Sequence, residues 1–197
     1  RGERLEVRFH DPQVDASPAW LPLEQLREAD IVLADVRWVE GAEAVLRAAR
    51  AAGVPAMLDA EVGPLPVLQR LVPLASHKVF SDAGLLHYTG LASVDEALLA
   101  VAAQQGGHVG ASCGAAGYAW VDDGRVRRVP APVVQVVDTL AAGDVFHGAL
   151  ALGLAEGRPV DEAARFACHA ATLKCTRFGG RLGCPDRAEV EASLASG

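Results

Sequence analysis

The alternation of short apolar runs with amphipathic stretches, between residues 31 and 112, is the feature that most restricts the fold of this chain. The apolar runs predict strands, and the stretches between them have helical periodicity. The predicted strands are 31–36, 54–59, 77–81 and 108–112, and the predicted helices are 41–52, 66–74, 82–88 and 93–105. Continuous apolar strands separated by helices are typical of βαβ units, which form a parallel sheet with helices on both faces. We therefore expect a Rossmann-like α/β fold.

A small β-hairpin and further helices are predicted after residue 117. Two short runs, 118–121 and 126–129, flank an Asp-Gly turn, which is a hairpin signal. The predicted helices are 143–156, 159–177 and 187–195, and the valine-rich run 133–137 is predicted to be the end of a strand. The helix that follows Asp144 is apolar on nearly every side, which predicts burial. No repeat or linker interrupts the sequence, so we expect residues 1–197 to form one domain.

The charge and hydropathy of the chain exclude two classes of partner. A formal net charge of −7 argues against nucleic acid and against an anionic membrane surface. No apolar run approaches the ~20 residues of a membrane span, and the first residues do not resemble a signal peptide. The four cysteines lack C-x-x-C spacing, which favours reduced thiols over a disulfide or a metal site. We expect a cytoplasmic protein with a small-molecule partner.

Polar residues stand where several predicted strands end. Asp35, Asp59 and Ser81 follow strands, as does the turn 138–144. Ligands of parallel sheets bind beyond the carboxyl ends of the strands. We therefore expect these residues to converge at one edge of the sheet. Ligand contacts and a solvated loop both explain Asp35, Asp59 and the neighbouring Arg37.

Segment 136–149 combines an apolar run, a turn of small residues and an apolar helix. The small residues from Leu140 to Gly143 leave backbone N–H groups open to a ligand, and a helix N-terminus favours an anion. Asp144 would accept a proton from a hydroxyl group held beside that anion, and Asp138 would organise the turn or bind a cation. A simple first-turn carboxylate and a simple turn former explain the same spacing. The spacing alone does not decide between these two interpretations.

Residues 138–146, Asp-Thr-Leu-Ala-Ala-Gly-Asp-Val-Phe, resemble the D-T-x-G-A-G-D-x-F signature of the ribokinase-like (PfkB) carbohydrate kinases. The resemblance implies a ribokinase-like fold and ATP-dependent phosphorylation of a sugar hydroxyl, with Mg²⁺ and with K⁺ as a candidate ion beside Asp138. It also implies that Asp144 is the general base. The anion hole that it implies is formed by Ala141, Ala142 and Gly143. Ala141 replaces a family glycine, and its Cβ restricts positive φ and the close approach of phosphate.

The resemblance extends to the nucleotide side of the family's site. Residues 112–117 are similar to a T-x-G-x-x-G loop beside ATP, and the end of the predicted helix 159–177 is similar to the wall around adenine. The nucleotide contacts that this implies are Ser112, Gly114, Gly117, Thr172, Cys175 and Gly179. A simple strand-to-strand turn and ordinary helix packing are the alternative explanations of these residues.

Two departures from the family pattern bear on the metal and the substrate. Ser81-Asp82-Ala83-Gly84 stands where the family usually has N-x-x-E, which orders the magnesium and its waters. Some ketose kinases of the family are similar there, and with Phe146-His147-Gly148-Ala149 this favours a ketose acceptor, nearest to the sulfofructose-type kinases. A nucleoside kinase of the same fold and a non-catalytic nucleotide- or sugar-binding relative are the alternatives.

The family carries further residues ahead of the region that this chain resembles, including much of the sugar pocket and a β-sheet lid. We therefore expect the chain to correspond to a C-terminal portion, with residues 1–12 as the remnant of a lid strand. A homodimer is the oligomeric state that we expect.

Overall fold

The four predicted parallel strands form one sheet, which the predicted hairpin extends. In the computed structural model, which describes residues 14–196, the strands are β1 Val32–Asp35, β2 Ala56–Ala60, β3 His77–Ser81, β4 His108–Ser112, β5 Tyr118–Asp122 and β6 Arg125–Val129. They lie in the order β1-β2-β3-β4-β5-β6, parallel from β1 to β4 and antiparallel from β4 to β6. The hairpin turn has φ of 47° at Asp123 and 70° at Gly124, which an Asp-Gly pair tolerates. The predicted α/β class and hairpin are confirmed.

The helices lie close to their predicted positions. They are α1 Val39–Ala52, α2 Leu65–Leu71, α3 Asp82–Thr89, α4 Val94–Gln105, α5 Ala142–Ala155, α6 Val160–Cys175 and α7 Arg187–Ala195. The predicted helix 66–74 divides, because residues 72–74 form a 3₁₀ turn after α2. Pro73 lies in that turn and has no N–H to continue an α-helix.

Two apolar cores lie on opposite faces of the sheet because successive strand residues point to opposite sides. Leu58 and Phe80 belong to the core that includes residues of α1 to α4. Met57 and Val79 belong to the core that includes residues of α5 and α6. The predicted covering of both faces is present, and α5 is thereby held against the sheet.

The valine-rich run 133–137 forms no strand in the described part of the chain, so that prediction was wrong. Its exposed valines are Val133, Val136 and Val137. The N–H groups of Val137 and Asp138 donate to the carbonyl oxygen of Cys175, at 2.8 and 3.2 Å. The end of the run therefore lies beside the C-terminal end of α6. A β-branched run becomes a strand only where a partner strand is available.

Helix α5 is buried on one side only, which corrects the expectation of burial all round. Phe146 and Leu150 are buried, whereas Gly148 and Leu152 are exposed. The helix packs against α6 and the sheet, and this leaves its other side uncovered among residues 14–196. The lid strand expected at residues 1–12 lies outside the described residues. None of the helices between residues 14 and 196 has the length and apolar content needed to cross a bilayer.

Candidate active site

A cleft of about 380 Å³ lies at the carboxyl ends of the parallel strands. The strand ends contribute Asp35, Asp59, Ser81 and Ser112 to its lining, and the start of α5 contributes Ala141, Gly143 and Asp144. Parallel strands end on the same side of a sheet, which brings these distant residues together. The predicted convergence of the strand ends and the 138–144 turn is therefore present.

The turn that opens α5 contains a residue in an unfavourable backbone conformation. Ala141 is the N-cap of α5, with φ of 62° and ψ of 13°. Its carbonyl oxygen accepts the Val145 N–H at 3.0 Å, which starts the helix. The left-handed region costs roughly 1–2 kcal/mol for a residue with a Cβ. The alanine that replaces the signature glycine thus occupies the position that most needs glycine.

The N–H groups of this turn differ in their availability. The Ala142 N–H donates to the Thr139 carbonyl oxygen at 3.2 Å. Within residues 14–196, the N–H groups of Ala141, Gly143 and Asp144 have no acceptor. Such groups at a helix start, together with the helix dipole, favour an anion. The anion hole of Ala141, Ala142 and Gly143 stays a prediction, which the free N–H groups of Ala141 and Gly143 support, while the Ala142 N–H is used within the turn.

Asp144 lies in the first turn of α5 and lines the cleft. The residue is exposed, so a bound molecule has access to its carboxylate. A carboxylate beside an anion-binding turn is placed to take a proton from a nearby hydroxyl group. The role of general base stays a prediction that this position permits.

Asp59 is a largely buried carboxylate that lines the cleft. Burial raises the pKa of its carboxyl group, His147 opposes that rise, and the carboxylates of Glu61, Asp144 and Asp35 add to it. Its Oδ1 lies 3.3 Å from His147 Nε2, an ion-pair distance, but accepts no hydrogen bond of normal geometry from the described residues. A bound cation would reduce the repulsion among these carboxylates and would give Asp59 Oδ1 a further partner.

The donor set of the cleft fits Mg²⁺ held chiefly by phosphates, since such ions use only one or two protein carboxylates. Asp59 supplies one such carboxylate and Asp144 lines the same cleft. Residues 14–196 contain no group of three His, Cys, Asp or Glu side chains that would form a closed metal site. The carboxylates of the cleft therefore suit a metal ion that is bound mainly by the phosphate groups of a ligand.

The side of the cleft next to β1 is formed by polar groups that bind one another. The Arg37 guanidinium pairs with the Glu61 carboxylate, and the Arg37 N–H donates to Asp35 Oδ1 at 2.8 Å. Arg37 and Asp35 both line the cleft. Asp35 and Arg37 therefore lie in an exposed segment that also forms one wall of the cleft, which agrees with both interpretations.

Asp138 lies behind the turn and fastens it to the end of α6. Its Oδ1 accepts the Leu140 N–H at 2.9 Å and its Oδ2 accepts the Gly179 N–H at 2.9 Å. These two hydrogen bonds, followed by the Lys174 ammonium, hold the pKa of Asp138 below its usual range. Lys174 Nζ also donates to the Asp138 carbonyl oxygen at 2.8 Å. The predicted organising role of Asp138 thus has a geometric basis, and Gly179 contributes a backbone donor to it.

The predicted nucleotide contacts at 112–117 separate into two kinds. Ser112 lines the cleft, and its Oγ donates to the Phe80 carbonyl oxygen at 3.4 Å. At Gly117, with φ of 88°, a Cβ would lie 2.0 Å from the Val129 carbonyl oxygen. At Gly114, with φ of 54°, a Cβ would meet nothing within 4 Å. Hairpin packing accounts for the glycine at 117, and Gly114 leaves open space for a ligand; a nucleotide contact at either position stays a prediction.

Thr172 and Cys175 are placed by helix packing. Thr172 is buried in α6, and Cys175 is the half-buried last residue of that helix. Neither residue lines the cleft. Packing is one of the two explanations that the sequence left open, and a nucleotide contact at these positions stays a prediction. All four cysteines are free thiols.

The segment that replaces N-x-x-E is used to start α3. Ser81 Oγ accepts the Gly84 N–H at 3.0 Å, which caps the helix. A Cβ at Gly84 would lie 2.5 Å from the Ala60 carbonyl oxygen. A glutamate at this position is therefore excluded by the close packing of α3 on the end of β2, so a metal depends on the carboxylates of the cleft.

Sequence reasoning missed Glu61 and Lys174 and gave little weight to His147. Glu61 follows β2 two residues after Asp59, and its place beyond a strand end was the available signal. Lys174 lies on an otherwise apolar face of α6, where a lone lysine requires partners. His147 is buried, as expected for a packed histidine, yet it also lines the cleft.

Comparison with known proteins places these observations in a family. Residues 9–187 match the model of the pfkB family carbohydrate kinases. A ribokinase from Arabidopsis thaliana is 30% identical over 177 residues, which cover 85% of this chain and 46% of that protein. A crystal structure from Agrobacterium tumefaciens, provisionally assigned as a ribokinase, superposes with a TM-score of 0.93 at 42% identity, covering 99% of this chain and 65% of that one.

The Arabidopsis thaliana ribokinase complexed with ribose and ATP superposes with a TM-score of 0.75 at 30% identity. That superposition covers 87% of this chain and 58% of the ribokinase chain. The chain thus spans less than two thirds of the length of these relatives. The likeness confirms the ribokinase-like α/β fold over the greater part of the described chain.

Proposed function

Because this chain belongs to the pfkB family of carbohydrate kinases, we propose that it carries the nucleotide side and the catalytic base of an ATP-dependent kinase that phosphorylates a sugar hydroxyl. The observation that carries the proposal is the position of Asp144, whose carboxylate shares one cleft with the free N–H groups of Ala141 and Gly143. A proton acceptor and an anion site that lie together are what phosphoryl transfer to an alcohol requires.

In the proposed reaction, Asp144 takes the proton of the acceptor hydroxyl as its oxygen attacks the γ-phosphorus of ATP. The new P–O bond forms while the bond to the β-phosphate oxygen breaks, and ADP leaves. The N–H groups of Ala141, Gly143 and Asp144, with the dipole of α5, stabilise the negative charge of the transferring oxygens.

Asp59 would hold Mg²⁺ in the cleft, which Asp144 also lines. The ion, when bound, neutralises charge on the phosphates. The proposal also retains Ser112 and Gly114 as neighbours of the nucleotide. Ser112 lines the cleft, and the position of Gly114 is open.

The acceptor that we propose is a ketose. Support comes from the Ser81–Gly84 segment, which lacks N-x-x-E and has no room for its glutamate, and from the sequence that continues from Phe146 to Ala149. Ribose, which is bound in the superposed Arabidopsis structure, is the principal competitor, and a nucleoside is the second. A cytoplasmic location, with free cysteine thiols, and a homodimer complete the proposal.

The test compares Asp144→Asn with Asp161→Asn in the longest natural form of the protein. Asp161 lies in the first turn of α6, so it matches Asp144 in helix position but does not line the cleft. ADP formation is measured with fructose and other ketoses, ribose and adenosine as acceptors. ATP binding is measured by calorimetry.

We expect Asp144→Asn to lower turnover by about 10²–10⁴-fold with ATP binding retained, because the amide keeps the shape but cannot take the proton. Asp161→Asn should leave turnover unchanged. Near-normal turnover of Asp144→Asn at saturating substrate would remove Asp144 from the role of base. A greater kcat/KM with ribose or adenosine than with any ketose would reject the ketose acceptor, and ATP binding without turnover on any acceptor would favour a non-catalytic relative.

A further inference from the structure

A buried ammonium group occupies the place beside Asp138 where the family resemblance suggested K⁺. Lys174 is fully buried in the last turn of α6. Its Nζ donates to the Asp138 carbonyl oxygen at 2.8 Å and lies 3.6 Å from Asp138 Oδ2. A buried charge is tolerated only when it is paired and hydrogen-bonded. Asp138 supplies both kinds of partner from a single residue.

All three oxygens of Asp138 already have a donor or the ammonium as a partner. The carbonyl oxygen accepts from Lys174, Oδ1 accepts from the Leu140 N–H, and Oδ2 accepts from the Gly179 N–H while facing Lys174 Nζ. A K⁺ ion beside Asp138 would lie next to the buried Lys174 ammonium, which repels a second cation. The residues present therefore do not fit K⁺ beside Asp138.

The ammonium lies at the base of the turn that carries the proposed chemistry. Asp138 is three residues before Ala141, and the same short segment donates two N–H groups to the Cys175 carbonyl oxygen next to Lys174. The positive charge of Lys174, the Asp138 carboxylate and the Gly179 N–H thus join the turn, the end of α6 and the loop after it. Any cation acting here would serve to hold this turn in position.

We propose that the Lys174 ammonium acts as a built-in monovalent cation, which positions the Asp138–Asp144 turn and makes the kinase independent of K⁺. The inference rests on the proposed function, because it concerns the turn that would bind the transferring phosphate. An ammonium has one positive charge and donates to oxygen, as NH₄⁺ does. Covalent attachment to α6 keeps it in place at any salt concentration. Lys174 is a positioning residue and does not touch the reacting atoms.

The chain offers a matched control, since Lys78 is its other lysine and is also buried. Lys78 Nζ donates to the carbonyl oxygens of Ala75 and Gly106, at 2.8 and 3.0 Å. These contacts lie at the opposite, amino end of β3, away from the cleft. Lys78→Met and Lys174→Met therefore remove the same group from two buried sites, only one of which adjoins the turn.

The experiment measures turnover in tetramethylammonium, Na⁺, K⁺ and NH₄⁺ chloride at constant ionic strength. We expect the wild-type rate to be the same in all four salts. Lys174→Met should lose about tenfold in tetramethylammonium and recover with added K⁺ or NH₄⁺ in a saturable manner, as a vacated cation site would. Lys78→Met should lose stability without acquiring a dependence on K⁺.

A second measurement separates this inference from the kinase assignment. The thermal midpoint of Lys174→Met should rise with K⁺ or NH₄⁺ relative to tetramethylammonium, while those of the wild type and Lys78→Met should not, whether or not any sugar is phosphorylated. Activation of the wild-type enzyme by K⁺, or a Lys174→Met variant whose activity and midpoint ignore K⁺ and NH₄⁺, would overturn the proposal. If Lys174→Met does not fold, the wild-type salt series alone decides between independence of K⁺ and activation by it.

Discussion

The imidazole of His147 lies against the carboxylate of Asp59, with Nε2 3.3 Å from Oδ1. The other ring nitrogen, Nδ1, donates to the Gly143 carbonyl oxygen at 2.8 Å, and Nε2 also faces the Val79 carbonyl oxygen at 3.3 Å. One side chain thus connects the end of β2 and the middle of β3 to the first turn of α5. Because Asp144 stands in that turn, the pair ties the proposed base to the sheet.

The coupling of this pair is measurable as a difference in unfolding free energy. His147→Leu should cost about 3 kcal/mol, because it leaves the buried Asp59 carboxylate without its partner. The cost should fall by about 1–2 kcal/mol in an Asp59→Asn background, where no charge remains to be paired. Urea unfolding of the two single variants and the double variant gives the cycle. Strictly additive values would mean that His147 acts only by packing.

Ala141→Gly should stabilise the protein by about 1 kcal/mol, because glycine adopts the left-handed conformation of this N-cap without strain. Activity should be preserved or raised, since the turn keeps its N–H groups and loses a methyl group. Thermal midpoints and turnover are compared with those of Ala142→Gly, the next residue, which lies within α5 and should lose stability. A loss of stability in Ala141→Gly as large as in the control would contradict the assigned strain.

Gly84→Ala should destabilise the fold by about 1–3 kcal/mol, because the added Cβ meets the Ala60 carbonyl oxygen and forces a shift of the backbone. Gly148→Ala provides the control, since a Cβ there meets nothing within 4 Å. That control should gain close to 1 kcal/mol from helix propensity. Chemical denaturation measures both variants. A neutral Gly84→Ala would show that the position can accept the side chain that N-x-x-E requires.

Stability should fall in acid because of a partly buried histidine outside the cleft. Burial, followed by the nearby His77 and Lys78, lowers the pKa of His108 to about 4. The unfolded chain therefore binds a proton between pH ~6.5 and ~4 that the native protein does not, so stability is complete above pH ~6.5 and falls as the pH drops towards 4. The loss attributable to His108 is up to about 3 kcal/mol.

The measurement is the unfolding free energy from pH 4 to 8 for the wild type, His108→Gln and His87→Gln. His108→Gln should show a smaller loss in acid, although burial and Lys78 also lower the pKa of His77 and leave part of the effect. His87 is exposed, so its variant should follow the wild type. An unchanged acid slope in His108→Gln would exclude this histidine as the source.

The sequence by itself determined the order and the type of most elements. Apolar runs such as 77–81 and 108–112 became strands with the predicted bounds, and the Asp123-Gly124 turn closed the hairpin. These features are local, because side-chain periodicity and turn chemistry act over a few residues. The sequence also predicted that the turn 138–144 would meet the strand ends, although the strand 133–137 on which that prediction rested does not form.

The tertiary structure alone decided what distant residues do to one another. It placed the end of the valine-rich run 133–137 beside the C-terminal end of α6, and it placed Lys174 beside Asp138. It also explained why Gly84 cannot be the family's glutamate. Each outcome depends on a contact between residues far apart in the sequence, so neither periodicity nor spacing predicts it. Burial makes these contacts decisive, because an ammonium, a carboxylate or an N–H group that has lost its water must find its partner within the fold.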